Sequence, residues 1–217
     1  MVHRFDLVIF DCDGVLVDSE RILVRTEREI LERLGWHLSE SDVTDMFVGR
    51  TRVYMQRTIE AQLGRSIDWD VEFEARYREV FERELVPVAG IEDALDALST
   101  ASCVASNGSH ETMQLTLGLT NLWRRFQGRV FSADDVEHAK PAPDVYLHAA
   151  RAMGVAAERC CVVEDSVSGV TAGVAAGMTV FGFSGSVTSA ERLARVGAIV
   201  FDQMTELPAL VYSTSAT

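Results

Sequence analysis

The feature that most limits the fold of this chain is an apolar run, FDLVIF, that ends at two aspartates in DCDG. The run from Leu7 to Phe10 is typical of a strand buried on both faces, as in parallel sheets. Open parallel sheets bind ligands at the carboxyl ends of their strands. Asp11 and Asp13 stand at that point, and Gly14 follows at once. The sequence therefore predicts a parallel α/β fold with an acidic site at the end of its first strand.

The composition is that of an acidic protein with enough apolar residues for a packed core. The chain has 217 residues, of which 47% are hydrophobic, and a formal net charge of −13. This charge argues against nucleic acid or an anionic membrane surface as a partner, and no segment is apolar for long enough to span a bilayer. The four cysteines match no disulfide or zinc spacing. We therefore expect a cytoplasmic monomer or weak homodimer with reduced cysteines and a small-molecule partner.

The rest of the chain divides into a helical segment and an alternating one. From Ser19 to Leu85 the residues are rich in charge and recur with a helical period, which predicts four helices. Beyond Gly90, helical patterns alternate with apolar runs near residues 102–106, 130–132, 160–165, 178–183 and 198–201. Such alternation predicts parallel strands joined by helical crossovers. We predict a Rossmann-like core domain of residues 1–18 and 87–217, with a helical cap domain of residues 19–86 inserted after the first strand.

Two polar clusters at predicted strand ends suit an anionic ligand. Ser106, Asn107 and Gly108 end the run CVASNG and offer a hydroxyl, an amide and a backbone free to approach phosphate oxygens. Lys140 precedes a helix opened by proline and supplies a compact positive charge. Taken singly, the first cluster is also explained by a turn, and the lysine by a solvated surface group.

A further cluster suits a metal ion. Glu164 and Asp165 end the run CCVVED, so they would lie at the same edge as Asp11 and Asp13. Carboxylates that close together repel one another unless a cation lies between them, and hard oxygen ligands suit Mg²⁺ better than zinc. The acidic pair is also explained as a cap for the next helix. Four such clusters at the ends of predicted strands favour a single site.

These segments resemble a known family. DCDGVLVDSE, ASNGS, KPAPDVY and VVEDSVSGVTAGVAAGM resemble, in order and spacing, the four motifs of the haloacid dehalogenase superfamily of phosphohydrolases. The helical insert resembles the cap of its β-phosphoglucomutase-like branch. The resemblance implies a Mg²⁺-dependent phosphatase that acts on a small phosphorylated sugar, sugar acid or polyol.

The resemblance also implies roles for individual residues. Asp11 would attack phosphorus to form an aspartyl phosphate, and Asp13 would act as general acid and then as general base. Ser106 and Lys140 would be catalytic groups that hold the phosphoryl oxygens, with Asn107 and Gly108 beside them. The Mg²⁺ ligands would be Asp11, the Asp13 backbone carbonyl, Asp165 and Glu164, the last directly or through water.

Two arginines in the predicted cap are candidates for substrate recognition. Arg50 and Arg52, in VGRTR, lie between predicted helices, where they would bind a second anionic group such as a carboxylate. The alternative is that both are solvated residues at the start of a helix. Arg52 matches the substrate-contacting arginine of the family better than Arg50 does.

Two other functions use similar residues. A β-phosphosugar mutase has the same groups, but a histidine that helps those mutases to exclude water corresponds here to Leu23. A phospho-aspartate signalling switch also places an aspartate and a lysine at a parallel sheet. It would differ in having its acidic pair on another strand from the phosphoacceptor, and in having no large helical cap.

Overall fold

The computed structural model describes residues 4–213, and their centre is a six-stranded parallel sheet. Its strands are β1 (Leu7–Phe10), β2 (Ala101–Ser106), β3 (Val130–Ser132), β4 (Cys160–Glu164), β5 (Thr179–Phe183) and β6 (Ile199–Phe201). The strand order is β3-β2-β1-β4-β5-β6, and each neighbouring pair is parallel. The predicted Rossmann-like α/β fold class is thereby confirmed.

Strand β1 is buried on both faces, as its sequence predicts. Val8 and Phe10 pack into the core on one side of the sheet, and Leu7 and Ile9 pack into the core on the other. All four side chains are inaccessible to solvent. Since the strand order reverses between β1 and β4, the crevice for a ligand is expected at the carboxyl ends of these two strands.

The first four helices after β1 form a unit that we call the cap (residues 20–84). They are α1 (Glu20–Arg33), α2 (Glu40–Phe47), α3 (Arg52–Leu63) and α4 (Ala75–Glu84), the last continuous with a π-helical turn at Asp70–Glu74. Ser39 and Asp42 form a capping box at the start of α2, and Gly64 ends α3 in a left-handed conformation. The cap has an apolar core of its own, which includes Ile30 and Phe73.

The helices of the core segment cover both faces of the sheet. They are α5 (Ile91–Ala97), α6 (His110–Leu119), α7 (Trp123–Phe126), α8 (Asp144–Ala152), α9 (Val167–Ala175), α10 (Ala190–Arg195) and α11 (Leu207–Tyr212). Buried side chains of α5, α6, α7 and α11 pack on one face, and those of α8, α9 and α10 pack on the other. No helix within residues 4–213 is long and apolar enough to cross a membrane.

The cap joins the core through two adjacent chain segments, which we call the neck (residues 16–18 and 86–88). Val17 and Pro87 form an antiparallel bridge. The Asp18 N–H donates to the carbonyl oxygen of Val86 at 2.9 Å, and the Val88 N–H donates to that of Leu16 at 3.0 Å. The division into two domains stays a prediction, and its boundaries lie at the neck. Residues 1–3 and 214–217 of the predicted core domain lie outside the described residues.

Candidate active site

The structure brings the four predicted polar clusters together at one cavity between the core and the cap. The cavity has a volume of about 210 Å³. On the core side its walls include Asp11 and Asp13 after β1, Ser106 at the end of β2, Lys140 before α8, and Glu164 at the end of β4. Parallel strands end at the same edge of a sheet, so residues far apart in the sequence meet there.

Lys140 is the buried centre of the site. Its Nζ donates to Asp11 Oδ1 at 2.7 Å and to Glu164 Oε1 at 2.9 Å, and it lies 4.6 Å from the ring centroid of Tyr146. Burial lowers the pKa of Lys140, but the Asp11 and Glu164 carboxylates outweigh this effect and raise it. The lysine therefore stays charged, and it is not the solvated surface group of the simpler explanation.

Asp11 and Asp165 show that the site fits a divalent cation. Burial raises the pKa of Asp11 to about 7, although Lys140 opposes the shift. Asp165 is fully buried, and neither of its carboxylate oxygens has a hydrogen-bond partner among residues 4–213. Burial raises the pKa of Asp165 well above its usual value, and the neighbouring Glu164 and Asp11 carboxylates raise it further.

Three carboxylates at this point offer ligand atoms close enough to share one ion. One oxygen from each of Asp11, Glu164 and Asp165 lies within 4.8 Å of the others. A buried carboxylate without a partner costs several kcal/mol, on the order of a lost charged hydrogen bond or more, and a hard cation would offset that cost. Gly14 makes room for this arrangement, since a Cβ there would lie 2.0 Å from Asp165 Oδ2.

Glu164 is held by the protein on both of its oxygens. Oε1 accepts from Lys140 and, at 3.0 Å, from the Tyr146 hydroxyl, and Oε2 accepts from the N–H and hydroxyl of Ser166 at 2.7 and 2.9 Å. Gly169 packs so closely that a Cβ there would lie 1.5 Å from Oε1. Helix α9 is capped by Ser166, so the explanation of Glu164 as a helix cap is wrong. These contacts occupy both oxygens of Glu164, and its place as a direct or a water-bridged metal ligand stays a prediction.

Asp13 and Ser106 flank the space beside Asp11. Asp13 Oδ1 accepts a hydrogen bond from the Ser19 hydroxyl at 2.7 Å. Burial raises the pKa of Asp13, although Ser19 and Lys140 lower it. The buried Ser106 hydroxyl accepts from the Gly108 N–H at 3.1 Å, and a Cβ on Gly108 would lie 3.8 Å from Asp13 Oδ2. A phosphoryl group between these side chains would meet a hydroxyl on one side and a carboxyl on the other.

The side chain of Asn107 has a different use from the predicted contact with phosphate. Its Nδ2 donates to the carbonyl oxygens of Gly49, at 3.0 Å, and of Lys140, at 3.3 Å. Its Oδ1 accepts from the Lys140 N–H at 3.0 Å. The Asn107 side chain thus connects the cap loop at Gly49 to the loop at Lys140. Only the backbone of Asn107 is left to contact a substrate oxygen.

The two cap arginines both line the cavity, in different settings. Arg52 pairs with Asp70 at 2.9 Å and lies 5.5 Å from the ring centroid of Trp69. Arg50 lies 5.1 Å from the ring centroid of Tyr54 and has no ion pair within the described residues. Their role in substrate recognition stays a prediction.

Sequence reasoning missed several residues of the site. Ser19, Tyr146 and Ser166 orient the predicted acidic residues, and only their positions inside the motifs pointed to them. It also missed Glu27 and Tyr77, which line the cavity from the cap. Neither residue stood out in the sequence, because a charged or polar position on an amphipathic helix normally lies on the solvated face.

Comparison with known proteins identifies the family. Residues 5–177 match the family model described as haloacid dehalogenase-like hydrolase. The chain belongs to this family. A structure similar to this haloacid dehalogenase-like hydrolase is that of a conserved haloacid dehalogenase-like protein of unknown function from Agrobacterium tumefaciens. The two have a TM-score of 0.82 and 36% sequence identity, over 95% of this chain and 97% of the other.

Two curated relatives of this haloacid dehalogenase-like hydrolase are phosphatases of Escherichia coli (strain K12). A 6-phosphogluconate phosphatase is 34% identical over 185 residues, which cover 84% of each chain. A fructose-1-phosphate phosphatase is 30% identical over 188 residues, which cover 82% of this chain and 96% of the relative. The resemblance inferred from the four motifs is therefore confirmed.

Proposed function

We propose that this protein is a Mg²⁺-dependent phosphatase that hydrolyses a small phosphorylated sugar, sugar acid or polyol through an aspartyl phosphate. The observation that carries the proposal is a buried aspartate, Asp11, held by Lys140 next to the unpartnered carboxylate of Asp165. The names of the two curated relatives support a phosphorylated carbohydrate as substrate.

The chemistry requires two displacements at phosphorus. In the first, an Asp11 oxygen forms a bond to phosphorus while the ester P–O bond breaks, and Asp13 gives a proton to the leaving alkoxide. In the second, Asp13 takes a proton from water, which attacks phosphorus and releases inorganic phosphate and free Asp11. Lys140 has three N–H donors and uses two on Asp11 and Glu164, so the third is left for a phosphoryl oxygen.

This chain supplies the ligands that a Mg²⁺ ion would need. Asp11, Asp165 and the Asp13 backbone carbonyl would hold Mg²⁺, with Glu164 joined through water. Bound there, Mg²⁺ supplies positive charge that offsets the charge of the phosphoryl group and of the carboxylates.

The two alternatives, a β-phosphosugar mutase and a phospho-aspartate signalling switch, are less well supported. Leu23, which stands where the mutases have their histidine, lines the cavity with an apolar side chain. A signalling switch needs no substrate cavity enclosed by a cap. The cytoplasmic location, the monomer or weak homodimer, and the absence of nucleic-acid and membrane partners stay predictions.

The test is phosphate release by purified protein, with Mg²⁺ or with EDTA. The substrates are p-nitrophenyl phosphate and a panel of phosphorylated sugars, sugar acids and polyols, including both anomers of glucose 1-phosphate. We expect turnover that needs Mg²⁺ and disappears in Asp11→Asn, a variant that keeps the shape of the side chain but has no nucleophile. Appreciable activity in Asp11→Asn would refute covalent catalysis. Conversion of β-glucose 1-phosphate to glucose 6-phosphate without phosphate release would identify a mutase instead.

A further inference from the structure

The cap places a buried carboxyl and a phenol together in the wall of the cavity. Glu27, on α1, is 6% exposed, and its Oε1 accepts a hydrogen bond from the Tyr77 hydroxyl, on α4, at 2.9 Å. Both residues line the same cavity as Asp11. Within the part of the chain that the structure describes, Glu27 has no ion pair and Tyr77 is its one hydrogen-bond partner.

This pair is costly for the stability of the cap. Burial raises the pKa of Glu27 to about 8, because the ionised carboxylate loses its hydration and gains no cation in return. An apolar pair of similar volume would pack there without that cost. Only one Glu27 oxygen is used by the protein, so the other is available to a ligand in the cavity that the residue lines.

We infer that the Glu27–Tyr77 pair is a specificity determinant that binds a hydroxyl group at the far end of the substrate. The inference rests on the proposed phosphatase function, since it assumes a phosphate ester bound at Asp11. Glu27 Oε2 has no hydrogen-bond partner among the described residues and can pair with such a hydroxyl. Trp69 and Phe81, whose rings contact that of Tyr77, offer apolar surface for the C–H groups of a carbon chain.

The rise along helix α1 gives an order-of-magnitude length for a substrate that reaches from the acidic cluster to Glu27. Glu20 lies at the acidic cluster, where its Cγ is 2.9 Å from the Cβ position of Gly14. Glu27 is seven residues, and so about 10 Å, further along the helix. An extended chain advances about 1.2 Å per bond, so about eight bonds span this distance. A terminal phosphate ester of a six-carbon polyol has that length, whereas glycerol 3-phosphate is too short.

A hydroxyl fits this position better than a carboxylate does. Arg52 and Arg78, which also line this cavity, pair with Asp70 at 2.9 Å and with Glu111 at 3.5 Å, and no cation of the described residues pairs with Glu27. A substrate carboxylate beside Glu27 would be buried without a cation of its own, whereas a hydroxyl brings no charge that needs one.

The test is a double variant, Glu27→Leu with Tyr77→Phe, which removes both polar groups so that neither is left buried without a partner. Its substrates are sorbitol 6-phosphate, 6-phosphogluconate, glycerol 3-phosphate and p-nitrophenyl phosphate. We expect kcat/KM for sorbitol 6-phosphate to fall about 10-fold to 100-fold, mainly through KM, as for the loss of one hydrogen bond to a carboxyl. Turnover should stay within about twofold for glycerol 3-phosphate, which is too short to reach Glu27, and for p-nitrophenyl phosphate, which carries no hydroxyl. Glu82→Gln, an exposed carboxylate on α4, is the matched control.

The outcomes separate this inference from the proposed function. Equal losses on all four substrates, or no loss on sorbitol 6-phosphate, would overturn the assignment of Glu27 and Tyr77. A larger loss on 6-phosphogluconate than on sorbitol 6-phosphate would also overturn it, because the bound group would then be a carboxylate. The proposed function fails by a different result, namely wild-type hydrolysis of p-nitrophenyl phosphate that persists in Asp11→Asn.

Discussion

Replacing Glu27 by glutamine should change how the stability of this protein depends on pH. The side chain keeps its shape and still accepts the hydrogen bond from Tyr77, but it no longer titrates. In the wild type, Glu27 has a pKa of about 8 when folded, against 4.5 for an ordinary glutamate. The folded state therefore holds a proton that the unfolded state has lost, and stability falls as the pH rises from 4.5 to 8.

The size of the effect follows from the two pKa values. A tenfold difference in proton affinity corresponds to about 1.4 kcal/mol, so the full shift from 4.5 to about 8 sets an upper limit of about 5 kcal/mol. Between pH 5 and pH 7 the wild type should lose about 2.5 kcal/mol through this group alone. Glu27→Gln avoids that loss, so its stability relative to the wild type should rise by the same amount.

Urea unfolding followed by tryptophan fluorescence at pH 5, 6, 7 and 8 measures this difference, with EDTA present to exclude metal binding. Other buried carboxyls titrate in the same range, but they are common to both proteins and cancel. Glu82→Gln, which removes an exposed carboxylate, is the control for the loss of one negative charge. A pH-independent difference between Glu27→Gln and the wild type, or one that falls as the pH rises, would refute the burial argument.

Three further variants test the core of the site. Asp165→Asn should raise Tm in EDTA, because it removes a buried ionisable group without a partner. The variant should also lose the rise in Tm that Mg²⁺ gives the wild type. An unchanged response to Mg²⁺ would argue against metal binding there. Gly169→Ala would place a Cβ 1.5 Å from Glu164 Oε1 and should lower kcat by about 100-fold, whereas Gly118→Ala, which faces open space, should not change it. Tyr146→Phe removes the hydroxyl donated to Glu164, and we expect kcat to fall about tenfold with a loss of about 1 kcal/mol in stability; wild-type kcat would contradict this role.

Much of the fold was predictable because its signals are local. The apolar run of β1 specifies a strand buried on both faces, and the alternation after Gly90 specifies parallel strands with crossovers. Residues at the ends of such strands must meet, so Asp11, Lys140 and Asp165 were found from their positions alone. The short helices α7 and α11 were not predicted, because each covers too few residues for a clear period.

The parts that sequence reasoning missed depend on packing between distant helices. Glu27 and Tyr77 are 50 residues apart, and nothing in either helix indicates the crossing that buries them. Asn107 was expected to bind phosphate, but its amide bonds the cap loop at Gly49. The pairing of Arg52 with Asp70, at the start of another helix, was likewise not indicated by either segment, and the role of Arg52 in substrate recognition stays a prediction. In each case a side chain has several possible partners, and tertiary structure selects one.

The neck has a consequence for how this chain reaches its native state. Strands β1 and β2 are neighbours in the sheet, although the whole cap separates them in sequence. The entropy lost in closing a loop grows with its length, so an unfolded cap would delay the pairing of β1 with β2. Because the bridge between Val17 and Pro87 holds the ends of the cap together, a cap that folds early reduces that loop to a short connection. The order in which the two parts fold should therefore set the folding rate of the protein.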